Sequence, residues 1–415
     1  MNTDSEQLNS GFNLKAWLLT PEAIRENCAL VYNAGLNGDL KYFDIDLERL
    51  ISVTNYVKNI TLKRYPNLKI PMHSRWRHFS LGKDNRWERI VNKFQLSGEE
   101  KTRVAFDLAI TSVIIDAGAG DNWRYHDSET NRMLSRSEGL AIASINAFEN
   151  GLFSGDSRRP LCADQNGLLK VTEKKFSKFF QVNKQNSLLG VEGRVKLING
   201  LGLSLGKNSN IFRGEFNRLG NLFDYLKRNS SQGKLKASKI FTSILESLGG
   251  IWPERCAMGF NLGDIWRHPA AIKNHNIEGF VPFHKLSQWL TYSLIEPVIE
   301  AGIDVIDVHE LTSLAEYRNG GLLIDFGVLI PKCNEIIENT HKPSDEVIVE
   351  WRALTVSLMD ILAKKLRETF DLNQDTLPMV NILEGGTWAA GRAIAFAKRP
   401  DGSPPIKIFS DASVF

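Results

Sequence analysis

The sequence lacks the features that define several large protein classes. Its four cysteines, Cys28, Cys162, Cys256 and Cys333, are widely spaced and form neither a CxxC pair nor a compact Cys/His group. That argues against a disulfide framework and against a structural zinc of the usual spacings. No apolar run reaches the roughly 18 residues that a membrane helix needs. Charge of one sign is also scarce: 51 Lys plus Arg stand against 48 Asp plus Glu, a net charge of +3. There is no basic footprint for nucleic acid and no acidic, solvating composition. Met1 to Ser10 is polar, without the apolar segment of a secretory signal. These absences lead us to expect a cytoplasmic chain with reduced, buried thiols and neither a membrane nor a nucleic-acid partner.

What is present is material for a core. Hydrophobic residues make up 42% of 415 residues, enough for one large or two ordinary domains. Helical spacing predominates. It places Ala105, Leu108, Ala109, Ser112 and Val113 on one face of a segment from Thr102 to Asp116. The pattern recurs from Ser137 to a stop at Gly151, from Ala237 to Leu248 ahead of Gly249 and Gly250, and from Glu346 to Phe370. Extended signals are short: Leu68 to Pro71, Leu322 to Ile330 and Ile406 to Phe409. They do not alternate with helices, so a doubly wound α/β sheet is not expected. The reading is a mainly α chain, one large helical domain over 1–415 with sublobes 1–235 and 236–415 and a few short strands.

Several clusters carry chemistry. Gly200, Gly202 and Gly206 miss the dinucleotide-loop spacing by one residue, and a glycine-relieved helix or turn explains them better. Asp304, Asp307, His309 and Glu310 could ligate a cation, yet they match no standard spacing and read equally as a solvated loop. From Asp116 to Tyr125 two acids, Trp123, Arg124 and Tyr125 surround glycines: either a helix end with polar surface residues or a loop facing a ligand. His73 to Phe79 sets Arg75 and Arg77 around Trp76, suited to phosphate or carboxylate, or to structural ion pairs. Gly385 and Gly386, followed by Thr387, read either as an anion-binding helix N-terminus or as a tight turn. The richest stretch runs from Trp252 to Phe326. There Trp252, Trp266 and Trp289 alternate with Asp264, His284, Lys285, Gln288, Glu316 and Arg318. Aromatic walls with a few fixed polar groups suit a small-molecule pocket, and a carboxylate beside rings can be tuned for acid, base or charge-stabilising work. A polar-rimmed core with salt bridges is the plainer alternative.

Taken together, these stretches carry a resemblance. Ser74 to Phe79, Asp116 to Tyr125, Arg136 to Leu140, Ile251 to Pro253, Leu262 to Asp264, Glu316 to Leu322, Gly385 to Arg392 and Pro404 to Asp411 resemble a fungal and bacterial uracil-catabolism family formerly labelled a domain of unknown function. Pro282 to Gln288 and Leu311 to Arg318 are more distantly similar to the queuosine-salvage N-glycosylases. Those proteins are helical and related to helix-hairpin-helix DNA glycosylases. They have an aspartate where this chain has Glu316.

The resemblance implies a metal-independent N-ribosyl hydrolase that needs no cofactor and releases urea from a ribosylurea or its 5-phosphate. Glu316 would face the developing sugar cation, with Asp264 or His284 assisting the leaving nitrogen. Lys285, Arg318 and the Gly385-Gly386 turn would hold phosphate, with Arg75 and Arg77 behind them. Trp252, Trp266 and Tyr317 would wall the sugar, and Trp123 and Arg392 complete the expected contacts. A non-catalytic binding or scaffold protein of the same pathway is the competing class. A metal-dependent hydrolase built on Asp304, Asp307 or His309 is the third.

Overall fold

The computed structural model describes residues 14–409, apart from 83, 121, 253–255, 258, 259, 274 and 275, and only the backbone of 256, 257 and 260. The chain is mainly α. Its principal elements begin with α1 (Pro21–Leu36), β1 (Phe43–Ile45), α2 (Leu50–Arg64), α3 (Gly98–Ile114), α4 (Arg136–Glu149), α5 (Val191–Lys207) and α6 (Ala237–Leu248). There follow β2 (Ile265–Arg267), β3 (Phe280–Pro282), α7 (Lys285–Glu300), α8 (Tyr317–Asp325), β4 (Leu329–Pro331), α9 (Glu346–Phe370) and α10 (Trp388–Lys398). Among the described residues every sheet is a two-stranded pair; β1 runs antiparallel to β4, and β2 to β3. No described helix is long and apolar enough to cross a membrane.

The chain groups into two compact units that interleave along the sequence. Of the described residues, the first takes those within 14–73, 256–288 and 307–409, the second those within 74–255 and 289–306. In the first, α9 packs on α1 and α2, while α8 packs on α9 and α10. Its central helix is buried all round from Val347 to Val356. Helix α1 starts where Thr20 accepts the Ala23 N–H and Pro21 occupies the first turn, and α9 stops at Asp371 in the left-handed conformation. In the second unit α3 packs against α4 and α5.

Helices stand over Ala237–Leu248 and Glu346–Phe370 as the periodicity indicates, and α3 begins earlier, at Gly98, where Glu99 and Glu100 suit a helix N-terminus. The glycines at 200, 202 and 206 lie inside α5, where a Cβ on Gly202 would come 2.9 Å from Leu169. Two expectations of extended chain are corrected. Leu68 to Pro71 is not a strand. The run from Leu322 divides: it is helical to Asp325, because Glu316 caps α8, and extended only from Leu329. Near the end Lys407–Ile408 does form a short strand.

Candidate functional site

The first unit gathers its polar side chains around the start of α7 and the start of α8. Asp264 organises the former. Its carbonyl oxygen accepts the N–H groups of Phe283 (3.0 Å) and His284 (3.4 Å), and its Oδ2 accepts that of Lys285 (3.0 Å). The Arg352 guanidinium meets both carboxylate oxygens at 2.8 Å, and the Trp266 indole N–H donates to Oδ1 at 2.8 Å. A carboxylate offers about four acceptor positions, so all are in use. Burial alone would raise the pKa of Asp264, but the Arg352 charge and these hydrogen bonds hold it at about 2. An anion so held has no proton to give a leaving group.

His284 occupies the left-handed region, with φ 45°, and is buried with its Nε2 at 3.0 Å from the Leu18 carbonyl. Burial lowers its pKa, so the ring is neutral. Non-glycine residues hold this conformation only where their surroundings over-determine it. Asp264 and Leu18 are those surroundings.

Glu316 is the N-cap of α8. Its Oε2 accepts the Arg318 N–H and its Oε1 the Asn319 N–H, each at 2.7 Å. Burial of the carboxyl raises its pKa, opposed by these two hydrogen bonds and by the charges of Lys285 and Arg318. The guanidinium of Arg318 lies 4.9 Å from the Tyr317 ring centroid and donates to the Gly402 carbonyl at 2.9 Å. Tyr317 itself is exposed.

One turn of α9 links these pieces. Glu350 Oε1 accepts the amides of Tyr42 (3.1 Å) and Phe43 (2.9 Å), fastening β1. Trp351 lies against α8: a Cβ on Gly320 would meet its Nε1 at 2.7 Å. Arg352, besides holding Asp264, donates from Nε to the Ala315 carbonyl at 3.3 Å. Around the same loop Gln288 Nε2, Ser313 Oγ, Asn319 Oδ1, Trp351 Nε1 and Arg318 Nε are buried without hydrogen-bond partners among the described residues. A buried polar group of this kind calls for a partner, whether an ordered water or a bound ligand. The sequence reading missed Glu350 and Arg352. The signal was available, since two opposite charges inside an otherwise apolar helical run must be paired.

Among the described residues, His268, Glu346 and Glu350 offer three ligand atoms within 4.8 Å of one another. His268 Nδ1 accepts the Ala270 N–H (3.2 Å), which leaves Nε2 carrying the proton toward Glu350 at 3.4 Å. A metal ion would have to displace that proton, so His268 and Glu350 read as a hydrogen-bonded pair. His309 pairs with Asp375 at 3.0 Å, and Asp304 falls in the second unit while Asp307 and His309 fall in the first.

Asp264, Trp266, His284, Lys285, Glu316, Tyr317 and Arg318 thus share the first unit. Gly385 and Gly386 are there too, but inside a π-helical turn that runs on into α10, so no free helix N-terminus exists at that point. They let the turn approach α2 and the segment that follows it: a Cβ on Gly385 would meet Ile70 at 3.0 Å, and one on Gly386 would meet Val57 of α2 at 2.6 Å. Arg64 takes the Glu384 carbonyl and pairs with the Glu384 carboxylate at 2.8 Å. Arg392 lies 5.7 Å from the Trp388 ring centroid.

Arg75, Arg77, Trp123 and Trp252 belong to the second unit. Arg75 is fully buried, paired with Asp116 at 2.9 Å and bonded to Ser112 and Ser137, so its charge serves the core. Arg77 pairs with Glu296 at 2.5 Å. Trp123 is also fully buried, its indole donating to the Phe180 carbonyl at 2.9 Å, and so it is a core residue, not a ligand-facing wall. Trp252 is buried.

Residues 17–415 match the sequence pattern of a family described as "Protein of unknown function (DUF1688)". Two named relatives are similar along nearly their whole length. Uracil catabolism protein 4 of Lachancea kluyveri is 34% identical over 413 residues, covering 91% of this chain and 93% of the relative. Protein urg3 of Schizosaccharomyces pombe is 36% identical over 409 residues, covering 96% and 98%.

Proposed function

Because this chain belongs to the DUF1688 family, we propose that it serves uracil catabolism, the role in the name of its Lachancea kluyveri relative, and that it hydrolyses the C–N bond of a ribosylurea or its 5-phosphate. The observation that carries this reading is Glu316, a buried carboxylate fixed at the start of α8 and influenced by the cations Lys285 and Arg318. Water adds at the anomeric carbon as the bond to the ureido nitrogen breaks, giving ribose (or its phosphate) and urea. The sugar becomes cationic in the transition state, and a carboxylate held in a dry site lowers that barrier strongly. Each Glu316 oxygen uses one acceptor position on α8 and keeps another toward the sugar or the attacking water. Asp264 is ionised and fully engaged and His284 is neutral, so Lys285 is the cation that assists the departing urea. The unpartnered donors and acceptors around the loop at 313–319 suit a hydroxyl-rich sugar.

The test is urea release from ribosylurea and its 5-phosphate by the purified full chain. Glu316→Gln is expected to cut kcat by about a thousandfold. It should leave a folded protein, since the amide oxygen still accepts one of the two capping N–H groups. Wild-type activity should also fall on the acid side with a midpoint above the ordinary glutamate value of 4.5, because burial raises Glu316. Undiminished kcat in Glu316→Gln overturns the assignment. One observation favours a second reading, a ligand-binding protein without turnover: both Glu316 oxygens already cap a helix. Tight binding of either compound with no urea released would establish it.

A further inference from the structure

We propose that Arg318 is the receptor for a phosphate monoester, so that the Glu316 site takes the 5-phosphate in preference to the free ribosylurea. This rests on the reading that Glu316 hydrolyses a ribosylurea.

The buried arginines among the described residues are Arg75, Arg86, Arg194, Arg218, Arg318 and Arg352. Arg75, Arg86, Arg218 and Arg352 each pair with an aspartate: Asp116, Asp127, Asp107 and Asp264 in turn. Arg194 donates instead to the carbonyls of Ile115, Ala117, Gly118 and Leu189. It closes the C-terminal end of α3, where the helix dipole favours a cation. Arg318 has neither arrangement. It is 5% exposed, yet it makes no ion pair among the described residues, and its one side-chain hydrogen bond there runs from Nη1 to the Gly402 carbonyl at 2.9 Å. Its Nε is buried without a partner. Burying a guanidinium without an anion is costly, so this group is poised for an anion that comes with a ligand.

The unused donors lie along one edge. Nε–H and the neighbouring Nη2–H point in parallel, the spacing that takes two oxygens of one phosphate or carboxylate. The rest of the group is already fixed. Gly402 holds Nη1, and the Tyr317 ring centroid lies 4.9 Å from the guanidinium. Glu316 Oε2 accepts the Arg318 N–H, and Gly391 of α10 comes so close to the Arg318 carbonyl that no Cβ would fit there. A fork held in place before its ligand arrives loses little entropy on binding. Arg318 and Glu316 stand two residues apart at the start of α8, so one ligand is expected to bring both the anion and the reacting carbon. Of the groups a ribosylurea can carry, a phosphate monoester is the one that offers two anionic oxygens.

Two measurements on the purified full chain test this. The first is calorimetry with ribose 5-phosphate and with ribose at fixed ionic strength, which reads the site without turnover. Wild type is expected to bind ribose 5-phosphate about tenfold to a hundredfold more tightly than ribose, the worth of a charge-assisted bidentate contact, and Arg318→Gln to lose most of that preference. The second is the ratio of kcat/KM for ribosylurea 5-phosphate over ribosylurea, expected to fall about tenfold or more in Arg318→Gln. The ratio is read because the Arg318 charge also acts on Glu316, an effect common to both substrates. Arg318→Lys keeps the charge but loses the two-donor edge, and is expected to bind ribose 5-phosphate about tenfold more weakly than wild type does. It carries the test should Arg318→Gln not fold. No preference for ribose 5-phosphate over ribose in wild type overturns the proposal. So does a wild-type preference in folded Arg318→Gln, or equal weakening of both ligands, which is what a merely structural arginine would give. Absence of urea release by wild type would refute the reaction, while calorimetry would still decide the phosphate site.

Discussion

Asp264 and Glu316 are both buried carboxylates, yet their surroundings push their ionisation in opposite directions. Arg352 brings Asp264 down to about 2, whereas burial takes Glu316 upward against weaker opposition. For Asp264 the folded value lies below the ordinary 3.8. Its contribution to stability is therefore complete above that value and lost as the pH falls through about 2. The difference corresponds to about 2 kcal/mol. Asp264→Asn is expected to flatten the acid end of the stability profile between those values and to destabilise by about 3–5 kcal/mol near neutrality, because Arg352 is left buried without its anion. Urea denaturation across acid pH measures both, and an unchanged acid slope would rule out this role. From sequence, Asp264 and Glu316 looked alike, as acids beside aromatics. What separates them is the partner, and Arg352 lies 88 residues from Asp264.

Helix α7 carries Pro297 in its interior, which removes the N–H that would bond the Ser293 carbonyl. The Trp76 indole supplies the missing donor at 2.7 Å. Trp76→Phe is expected to destabilise by about 1–3 kcal/mol by stranding that carbonyl. Adding Pro297→Ala returns a backbone donor and should recover most of the loss. A double-mutant cycle by chemical denaturation checks this, and additive effects would contradict it. Long periodic helices such as α9 were legible in the sequence because their apolar spacing is a local property. The end of α8 was not, since Leu322 to Ile330 is apolar and β-branched enough to read as extended. Only Glu316 capping and the close fit of Gly320 against Trp351 make its first part helical. The paired glycines at 385 and 386 misled for a related reason, serving close packing inside a π-turn and no exposed helix end.

At the scale of the whole chain, each unit is assembled from stretches that the other interrupts. Sequence reading looks for a boundary along the chain, and composition alone has no means to register that residues 14–73 join 307–409 in one packed body. The fragments 1–235 and 236–415 each lack part of both units. Expressed separately, they are expected to give no cooperative thermal transition, whereas the intact chain gives one or two. A sharp transition in either fragment alone would contradict this account. The mainly helical class was legible throughout, because it is the sum of many local patterns. The gathering of the site was legible only in part: its residue types were visible between Trp252 and Phe326, but the arginine that joins them lies outside that window.

Glu350, Trp351 and Arg352 stand side by side in α9 and engage three separate partners: the amides before and within β1, the face of Gly320, and Asp264 with Ala315. Neighbours on an α-helix differ in direction by about 100°. Inserting or deleting one residue between Glu346 and Glu350 would therefore swing all three away from their partners at once, even though every amino acid type were retained. The length of this stretch is thus constrained as tightly as its composition, and gaps in related chains should fall in the loops on either side of α9, not in the turn that leads to Arg352.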